Sequence, residues 1–433
     1  MAVRPPIRAR LAPRVARAVS SRQLRALLLV LGPGLISGFA DNDAGGITTY
    51  SLVGARYGYG LMWVLLASML ALGITQEAGA RLGLATGQGL GGLIRENFGV
   101  RWTSFAILTM LAANLGDTVA EFAGIAAALD LFGVVPQISA IIAASAVLIL
   151  LARANFTRTQ YVLLLIGAGV SIAYAISAVL ARPDWGRAAV SLVVPGITFD
   201  QAYLLAVVGT VGTTITPWGQ AFIQSYAADK GLTRKDLAGA RVDVALGAIV
   251  TNVVAAFIVI SCAATLWASG KADIVDAADA ARALGPLAGP GATVMFAVGL
   301  LAASLLGLAT VPLTSAYSAC EAFGFERGLH WRWSDAPIFY GLLTFFVAFS
   351  GLFVIIPGLP LVSVMFLSQV FDGLLLPIVL VFVMLLTRNR KVLGKLVSGR
   401  TLQTLGWLVT ALIGAISIAL VASELGLAAK SPR

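Results

Sequence analysis

Long apolar runs follow one another along nearly the whole chain and are separated by short polar segments. Apolar windows of membrane-spanning length predict about eleven helical spans. Their approximate limits are 25–56, 60–84, 102–126, 137–153, 161–181, 200–228, 242–268, 292–322, 337–355, 360–386 and 403–424. The pattern is typical of an all-α polytopic membrane protein, and it leaves no polar stretch long enough for a second folded domain.

The first span is interrupted near its middle by polar residues and glycine. The segment 40–50 reads ADNDAGGITTY, so Asp41, Asn42 and Asp43 are followed at once by Gly45 and Gly46. A charge at the bilayer centre costs at least roughly 3 kcal/mol. We therefore expect a broken helix whose freed carbonyl groups and acidic side chains share a cation. An ordinary loop is the alternative, but the apolar segment 27–40 is too short to span a bilayer alone.

The sixth span carries a second interruption. The segment 209–220 reads GTVGTTITPWGQ, in which Pro217 removes a backbone donor and the glycines loosen the helix. If the first ten spans form two halves of five, the first and sixth spans occupy corresponding positions in the two halves. This pattern indicates an inverted-repeat transporter whose site lies between the breaks. Two unrelated kinks are the alternative explanation.

The excess of positive charge is explained by membrane topology. The chain has 433 residues, with 30 lysines and arginines against 20 acidic residues. If the N-terminus is cytoplasmic, 23 of these 30 basic residues fall on the inner side, as the positive-inside rule requires. We therefore expect a multi-pass protein of the inner (plasma) membrane with no nucleic-acid partner. Segment 1–24 is predicted to be a basic cytoplasmic tail, 25–386 the transport core, and 387–433 the eleventh span with the C-terminal tail.

Motifs for enzymatic or ATP-driven chemistry are missing from the sequence. The glycine-rich segment 87–92 lacks the lysine of a phosphate-binding loop. A single histidine leaves no plausible serine triad and no histidine and cysteine cluster for a metal. We therefore expect a transporter rather than an enzyme, without a resident cofactor. Asp117 and Glu121 lie four residues apart, hence on one face of the third span, where structural pairing and a role in transport are both open.

Several motifs together resemble the NRAMP family of divalent-metal transporters. They are Gly32–Leu35, Asp43–Tyr50, Gly54–Tyr59, Leu61–Leu66, Ala80–Gly83, Thr86–Gly87, Leu367–Val370 and Leu375–Pro377. The similarity extends from about residue 31 to residue 385. It implies the LeuT-like fold, a five-plus-five inverted repeat with broken helices 1 and 6, in agreement with the two interruptions.

The chain departs from the family pattern at both breaks. The family's Asp-Pro-Gly-Asn is replaced by the segment 43–46, which keeps Asp43 but has Gly46 in place of asparagine. In the sixth span, Thr216 occupies the position of the metal-binding methionine and Trp218 that of a histidine. Thioethers favour transition metals, whereas oxygen ligands suit Mg²⁺ and Mn²⁺. The chain most resembles the NRAMP-related magnesium transporter branch, which implies transport of Mg²⁺ and Mn²⁺ without proton coupling.

The family's proton route is altered as well. Glu121 matches the glutamate of an Asp-x-x-Glu pair, but Thr118 holds the aspartate place. Asp117 is displaced from that place by one residue, which is about 100° around a helix. The ninth span contains no basic residue. Because a proton relay needs titratable groups in sequence, we hypothesise that the ion moves uncoupled.

These inferences define a set of expected site residues. The expected metal ligands are Asp43 as principal anion, with Asn42, Gly46, Thr213, Thr216 and Gln369. The expected cavity or pathway residues are Asp41, Trp218, Gln220, Asp117 and Glu121. The substrate is then a divalent metal ion, and the lipid bilayer is the other partner. Two alternatives remain: a proton-coupled importer of Mn²⁺ or Fe²⁺, and a sodium-coupled organic solute symporter.

Overall fold

The computed structural model describes residues 33–153, 156–198, 200–229, 231–271, 273–329 and 331–425. The predicted basic tail and residues 426–433 lie outside this part of the chain. Fourteen α-helices of eight or more residues occur in it: α1 Pro33–Ala40, α2 Ala44–Tyr57, α3 Met62–Thr86, α4 Leu90–Asp130, α5 Pro136–Arg153, α6 Phe156–Leu180, α7 Trp185–Val193, α8 Gln201–Thr214, α9 Pro217–Asp229, α10 Leu237–Thr265, α11 Ala292–Phe323, α12 Pro337–Val354, α13 Leu361–Arg388 and α14 Arg400–Glu424. No strand is found among the described residues.

The helices correspond to the predicted spans. Seven regions, containing α3, α4 and α10 to α14, are long and apolar enough to cross a membrane by length and composition. The other four predicted spans are the broken pairs α1/α2 and α8/α9, and the helices α5 and α6. The ends of α10 to α14 lie within a few residues of their predicted limits.

The helix α4 begins well before the predicted limit of its span. Its first turns carry Leu90, Leu93 and Ile94, which are buried in a cluster with the end of α11. Gly99, with φ at +74°, then turns the chain into the membrane-length part of the helix. The charged residues Arg95 and Glu96, which follow Ile94, shorten the apolar run and hide this segment from an apolar-window search.

Both helix breaks end at a residue that caps the following helix. Asp43 has an extended backbone and accepts a hydrogen bond from the Gly46 amide at 2.8 Å. Thr216 accepts one from the Gly219 amide at 3.1 Å. Pro217 occupies the first position of α9, where its missing N–H is not needed. Each break therefore leaves a short unwound segment whose second half-helix starts in a defined direction.

The helix α1 is fixed against α10. Both oxygens of Asp243 accept hydrogen bonds from the first turn of α1, from the amides of Gly34 at 2.6 Å and Leu35 at 3.2 Å. The Thr251 hydroxyl donates to the Gly38 carbonyl at 2.6 Å. A methyl group on Gly38 would lie 2.7 Å from the backbone of α10, so only glycine permits this approach. These contacts hold the first break at a fixed depth.

The helix α13 is fixed against the second broken pair by another glycine contact. Gly212 of α8 faces Gly373 of α13, and a methyl group on either glycine would overlap the opposite backbone. The helix α4 packs along both α11 and α13. As a result, Gln369 of α13 and the carboxyl groups of α4 face the breaks.

Candidate metal site

Asp43 lies at the centre of the first break and is 2% exposed. One oxygen of its carboxylate accepts the capping hydrogen bond from the Gly46 amide. Its carboxyl group also contacts that of Glu121 on α4. Glu121 is fully buried. Two buried carboxyl groups in contact strongly favour a bound cation or proton.

Gly46 lies close to three oxygen atoms. A methyl group at this position would lie 2.7 Å from the Asp41 carbonyl oxygen, 3.1 Å from Thr213 Oγ1 and 3.5 Å from Asp43 Oδ1. Thr213 is fully buried, and its hydroxyl has no hydrogen-bond partner among the described residues. We call this arrangement of three oxygens the Gly46 cradle. It brings predicted residues from both breaks together.

The two breaks also meet through Asp41. The Thr216 hydroxyl donates to Asp41 Oδ1 at 3.4 Å, while no described group donates to Asp41 Oδ2. The side-chain amide of Asn42 donates a hydrogen bond to the Gly38 carbonyl oxygen at 3.2 Å. Its Oδ1 accepts no hydrogen bond within the described part of the chain. Because Asp41 and Asn42 are both buried, their two unpaired oxygens need a ligand, water or ion.

Gln369 lies beside the first break. It packs so closely on Gly45 that any side chain at position 45 would overlap it. Its amide nitrogen donates to Asp117 Oδ1 at 3.0 Å, and its Oε1 accepts no hydrogen bond from the residues described. The Asp117 carboxyl group in turn contacts that of Asp372. Gln369 therefore connects the break to a second pair of carboxyl groups.

The predicted residues form one contiguous polar region around the breaks. Within the described residues, no group of three or more histidine, cysteine, aspartate or glutamate side chains has the arrangement of a metal site. The side chains assembled here instead supply carboxylate, hydroxyl and amide oxygens, together with the Asp41 carbonyl. That donor set is the one that hard cations prefer.

Trp218 and Gln220 lie in the interior, on the α9 side of the breaks. Trp218 is fully buried among the apolar residues Ile36, Ala40, Leu306 and Val311. It does not lie at the membrane surface, and its indole nitrogen has no partner among the described residues. Gln220 donates to the Thr75 hydroxyl at 3.3 Å. Trp218 therefore bounds the polar region, and Gln220 extends it.

Sequence reasoning missed Ser37, Gln76 and Gln224. Gln76 donates to Ser37 Oγ at 3.0 Å, and Gln224 donates to the Gln88 carbonyl at 3.1 Å. A four-residue spacing, Thr216, Gln220, Gln224, marks one face of α9 and was a usable sequence signal. Ser37 has no comparable signal, because a serine in an apolar helix is common.

A cavity of about 250 Å³ lies at the other end of α2, away from the breaks. It is bounded by α2, α8, α13 and the segment that follows α10. Its polar lining includes Arg56, Tyr57 and Asp273. Because the residues at the breaks are less than a tenth exposed, the candidate site is closed in this structure.

Comparison with known proteins gives family and fold. The family described as Nramp, natural resistance-associated macrophage protein-like, matches residues 34–423. A divalent metal cation transporter MntH of Deinococcus radiodurans is 31% identical over 407 residues, which cover 92% of this chain and 90% of that protein. The MntH protein of Pectobacterium carotovorum is 29% identical over 420 residues, covering 94% and 97%.

Solved structures show the same fold. A manganese transporter of Eremococcus coleocola aligns with a TM-score of 0.75 at 21% identity, covering 96% of this chain and 90% of that chain. MhsT in complex with L-phenylalanine aligns with a TM-score of 0.57 at 19% identity, covering 94% and 98%. These likenesses confirm the predicted all-α, LeuT-like fold with interrupted first and sixth spans. The family match covers most of the sequence and both breaks, and the chain therefore belongs to the Nramp family.

Proposed function

We propose that the chain imports Mg²⁺, and also Mn²⁺, down the electrochemical gradient without coupling to protons. Its family makes it a multi-pass membrane transporter of divalent metal cations rather than an enzyme or an organic solute symporter. The preference for Mg²⁺, the uncoupled mechanism and the import across the plasma membrane with a cytoplasmic N-terminus are the proposed part. In this proposal, the residues around the two breaks hold the ion.

The Gly46 cradle is the observation that carries the ion preference. Its three oxygens come from a carboxylate, a carbonyl and a hydroxyl group. Thr216 adds a hydroxyl where the family resemblance places a thioether. Mg²⁺ prefers oxygen ligands and gives up its water reluctantly. Gly46 places no side chain between these oxygens, so all three can face one ion.

The side chains at the positions of the family's proton route support uncoupled transport. Thr118 is buried and donates to the Asn114 carbonyl of its own helix at 2.8 Å. It therefore has a structural partner and no titratable proton at neutral pH. Trp218, at the histidine position, cannot titrate either. The helix α12 carries no basic residue.

One observation favours the rival proposal of proton-coupled transport of Mn²⁺ or Fe²⁺. Glu121 keeps the family's glutamate and contacts Asp43 directly. A proton on this carboxyl pair can in principle be exchanged for a metal ion. Proton movement during transport distinguishes the two proposals.

Voltage-driven uptake is the expected result for the uncoupled mechanism. An inside-negative potential contributes roughly 4.6 kcal/mol per 100 mV for a divalent ion. We expect Mg²⁺ to enter proteoliposomes at equal pH on both sides, at a rate that rises with an imposed potassium diffusion potential. Protein-free liposomes are the control. Uptake that needs a pH gradient, with Mn²⁺ entering and Mg²⁺ excluded, would contradict the proposal.

A further inference from the structure

The two half-helices that follow the breaks begin in the same way. In α2, the capping oxygen belongs to Asp43 and the capped amide to Gly46. In α9, the capping oxygen belongs to Thr216 and the capped amide to Gly219. Gly46 and Gly219 are thus equivalent third residues of the two half-helices. Gly219 therefore has the same position in the second repeat that Gly46 has in the first.

Gly219 indeed faces a second group of oxygens. A methyl group at this position would lie 2.8 Å from Thr216 Oγ1, 3.5 Å from Ser37 Oγ and 3.7 Å from Asp41 Oδ1. The second carboxylate oxygen of Asp41 receives no hydrogen bond within the described residues, although the side chain is 1% exposed. We call these three oxygens the Gly219 cradle. An unpaired, buried carboxylate oxygen on a side chain that borders these oxygens points to a cationic ligand.

Resting on the proposed function, we propose that the Gly219 cradle is a second binding position, which a partly hydrated divalent cation occupies after leaving the Gly46 cradle. Asp41 borders both positions, because its carbonyl oxygen lines the Gly46 cradle and its carboxylate lines the Gly219 cradle. An ion that moves between the two positions therefore exchanges the Asp43 carboxylate for the Asp41 carboxylate and stays beside Asp41 throughout. Such a transfer avoids leaving a bare charge in the membrane interior.

A row of three carboxamide side chains continues from the Gly219 cradle. The amide group of each side chain donates a hydrogen bond within the protein. The acceptors are Ser37 Oγ for Gln76, Thr75 Oγ1 for Gln220 and the Gln88 carbonyl oxygen for Gln224. All three side chains are at most 1% exposed, and no described group donates to any of their Oε1 atoms. Carboxamide oxygens accept hydrogen bonds from the water molecules of a hydrated cation.

Close packing of α3 on α9 closes this row in the present structure. A methyl group on Gly83 would lie 2.6 Å from the Gln224 carbonyl oxygen, and one on Gly79 would lie 3.4 Å from that of Gln220. At the far end, Ser225 contacts the Glu321 carboxylate, which forms an ion pair with Arg327 at 3.4 Å. The charge pattern predicts that this end faces the cytoplasm. Passage of an ion therefore requires α3 and α9 to separate.

The test compares ion binding with ion flux in Gly219→Ala. The added methyl group would lie 2.8 Å from Thr216 Oγ1 and so disturbs the Gly219 cradle, whereas its nearest atoms do not include the Thr213 and Asp43 oxygens of the Gly46 cradle. We expect Mg²⁺ binding by the purified protein, measured by titration calorimetry, to stay within about twofold, while Mg²⁺ flux in proteoliposomes falls about fivefold or more. Retained binding also shows that the variant is folded.

Two further variants and a control test the carboxamide row. Gln220→Leu and Gln224→Leu are each expected to lower the flux by about fivefold, with binding unchanged. The matched control is Gln403→Leu on α14. The Gln403 amide group also donates a hydrogen bond to a hydroxyl, Thr387 Oγ1, at 2.9 Å, and its Oε1 also accepts none from the described residues. Its flux is expected to equal that of the unmodified protein.

The second position and the proposed function fail in distinguishable ways. If the unmodified protein carries no Mg²⁺, the proposed ion preference is wrong, and the same variants assayed with Mn²⁺ still test the Gly219 cradle. Flux through Gly219→Ala at the unmodified rate, with either ion, overturns the second position. Loss of binding together with flux also overturns it, because the Gly219 cradle is then not separate from the first position.

Discussion

Replacing Asp43 by asparagine is expected to lower the rate of Mg²⁺ uptake roughly a hundredfold while leaving the protein folded. Asp43 has two roles, since it caps α2 through the Gly46 amide and supplies the negative charge at the first break. Asparagine caps helices about as well as aspartate does, so the substitution removes only the charge. Uptake into proteoliposomes and thermal unfolding of the purified protein measure the two roles separately.

Asp184→Asn is the matched control for this substitution. Asp184 also caps a helix, α7, by accepting a hydrogen bond from the Arg187 amide at 2.9 Å, but it is exposed and remote from the breaks. Both variants are expected to unfold near the temperature of the unmodified protein. Normal Mg²⁺ uptake by Asp43→Asn would show that the ion is held elsewhere.

Thr216→Met is expected to change the ion preference. It places a thioether between the breaks, where the family resemblance places the metal-binding methionine. A soft sulfur ligand favours Cd²⁺ over Mg²⁺, and we expect Cd²⁺ affinity to rise about tenfold while Mg²⁺ uptake falls. Titration calorimetry with both ions, together with uptake assays, measures the change.

Thr216→Val is the control, because valine has the shape of threonine but neither the hydroxyl nor a sulfur atom. Both variants lose the cap on the Gly219 amide, so they share any cost to the stability of α9. Only the methionine variant is expected to gain Cd²⁺ affinity. Equal Cd²⁺ affinities of the two variants would mean that residue 216 does not contact the ion.

The breaks were predictable because each violates a strong local rule. The polar residues Asp41–Asp43 are costly in a lipid-facing helix, and Pro217 lacks the backbone donor that a continuing helix uses. These rules act through neighbouring residues, so the sequence displays them directly. The same locality explains why the limits of α10 to α14 were predicted closely.

Contacts between distant parts of the chain were not predictable from the sequence. Asp243 caps the first turn of α1, and it lies 209 residues from Gly34 in the sequence. The role of Gly219 depends on Ser37 and Asp41, which lie in the other repeat. Such pairings follow from how the helices pack, and one sequence contains no direct record of that packing.

Simultaneous measurement of Mg²⁺ entry and luminal pH tests the uncoupled mechanism most directly. Proteoliposomes of the purified chain would carry a Mg²⁺-sensitive dye and a pH-sensitive dye, with an inside-negative potential and no initial pH gradient. We expect Mg²⁺ to enter without acidification of the lumen, and Asp43→Asn to slow the entry by the roughly hundredfold factor given above. Acidification that accompanies entry of the metal ion would contradict uncoupled transport and favour the proton-coupled alternative.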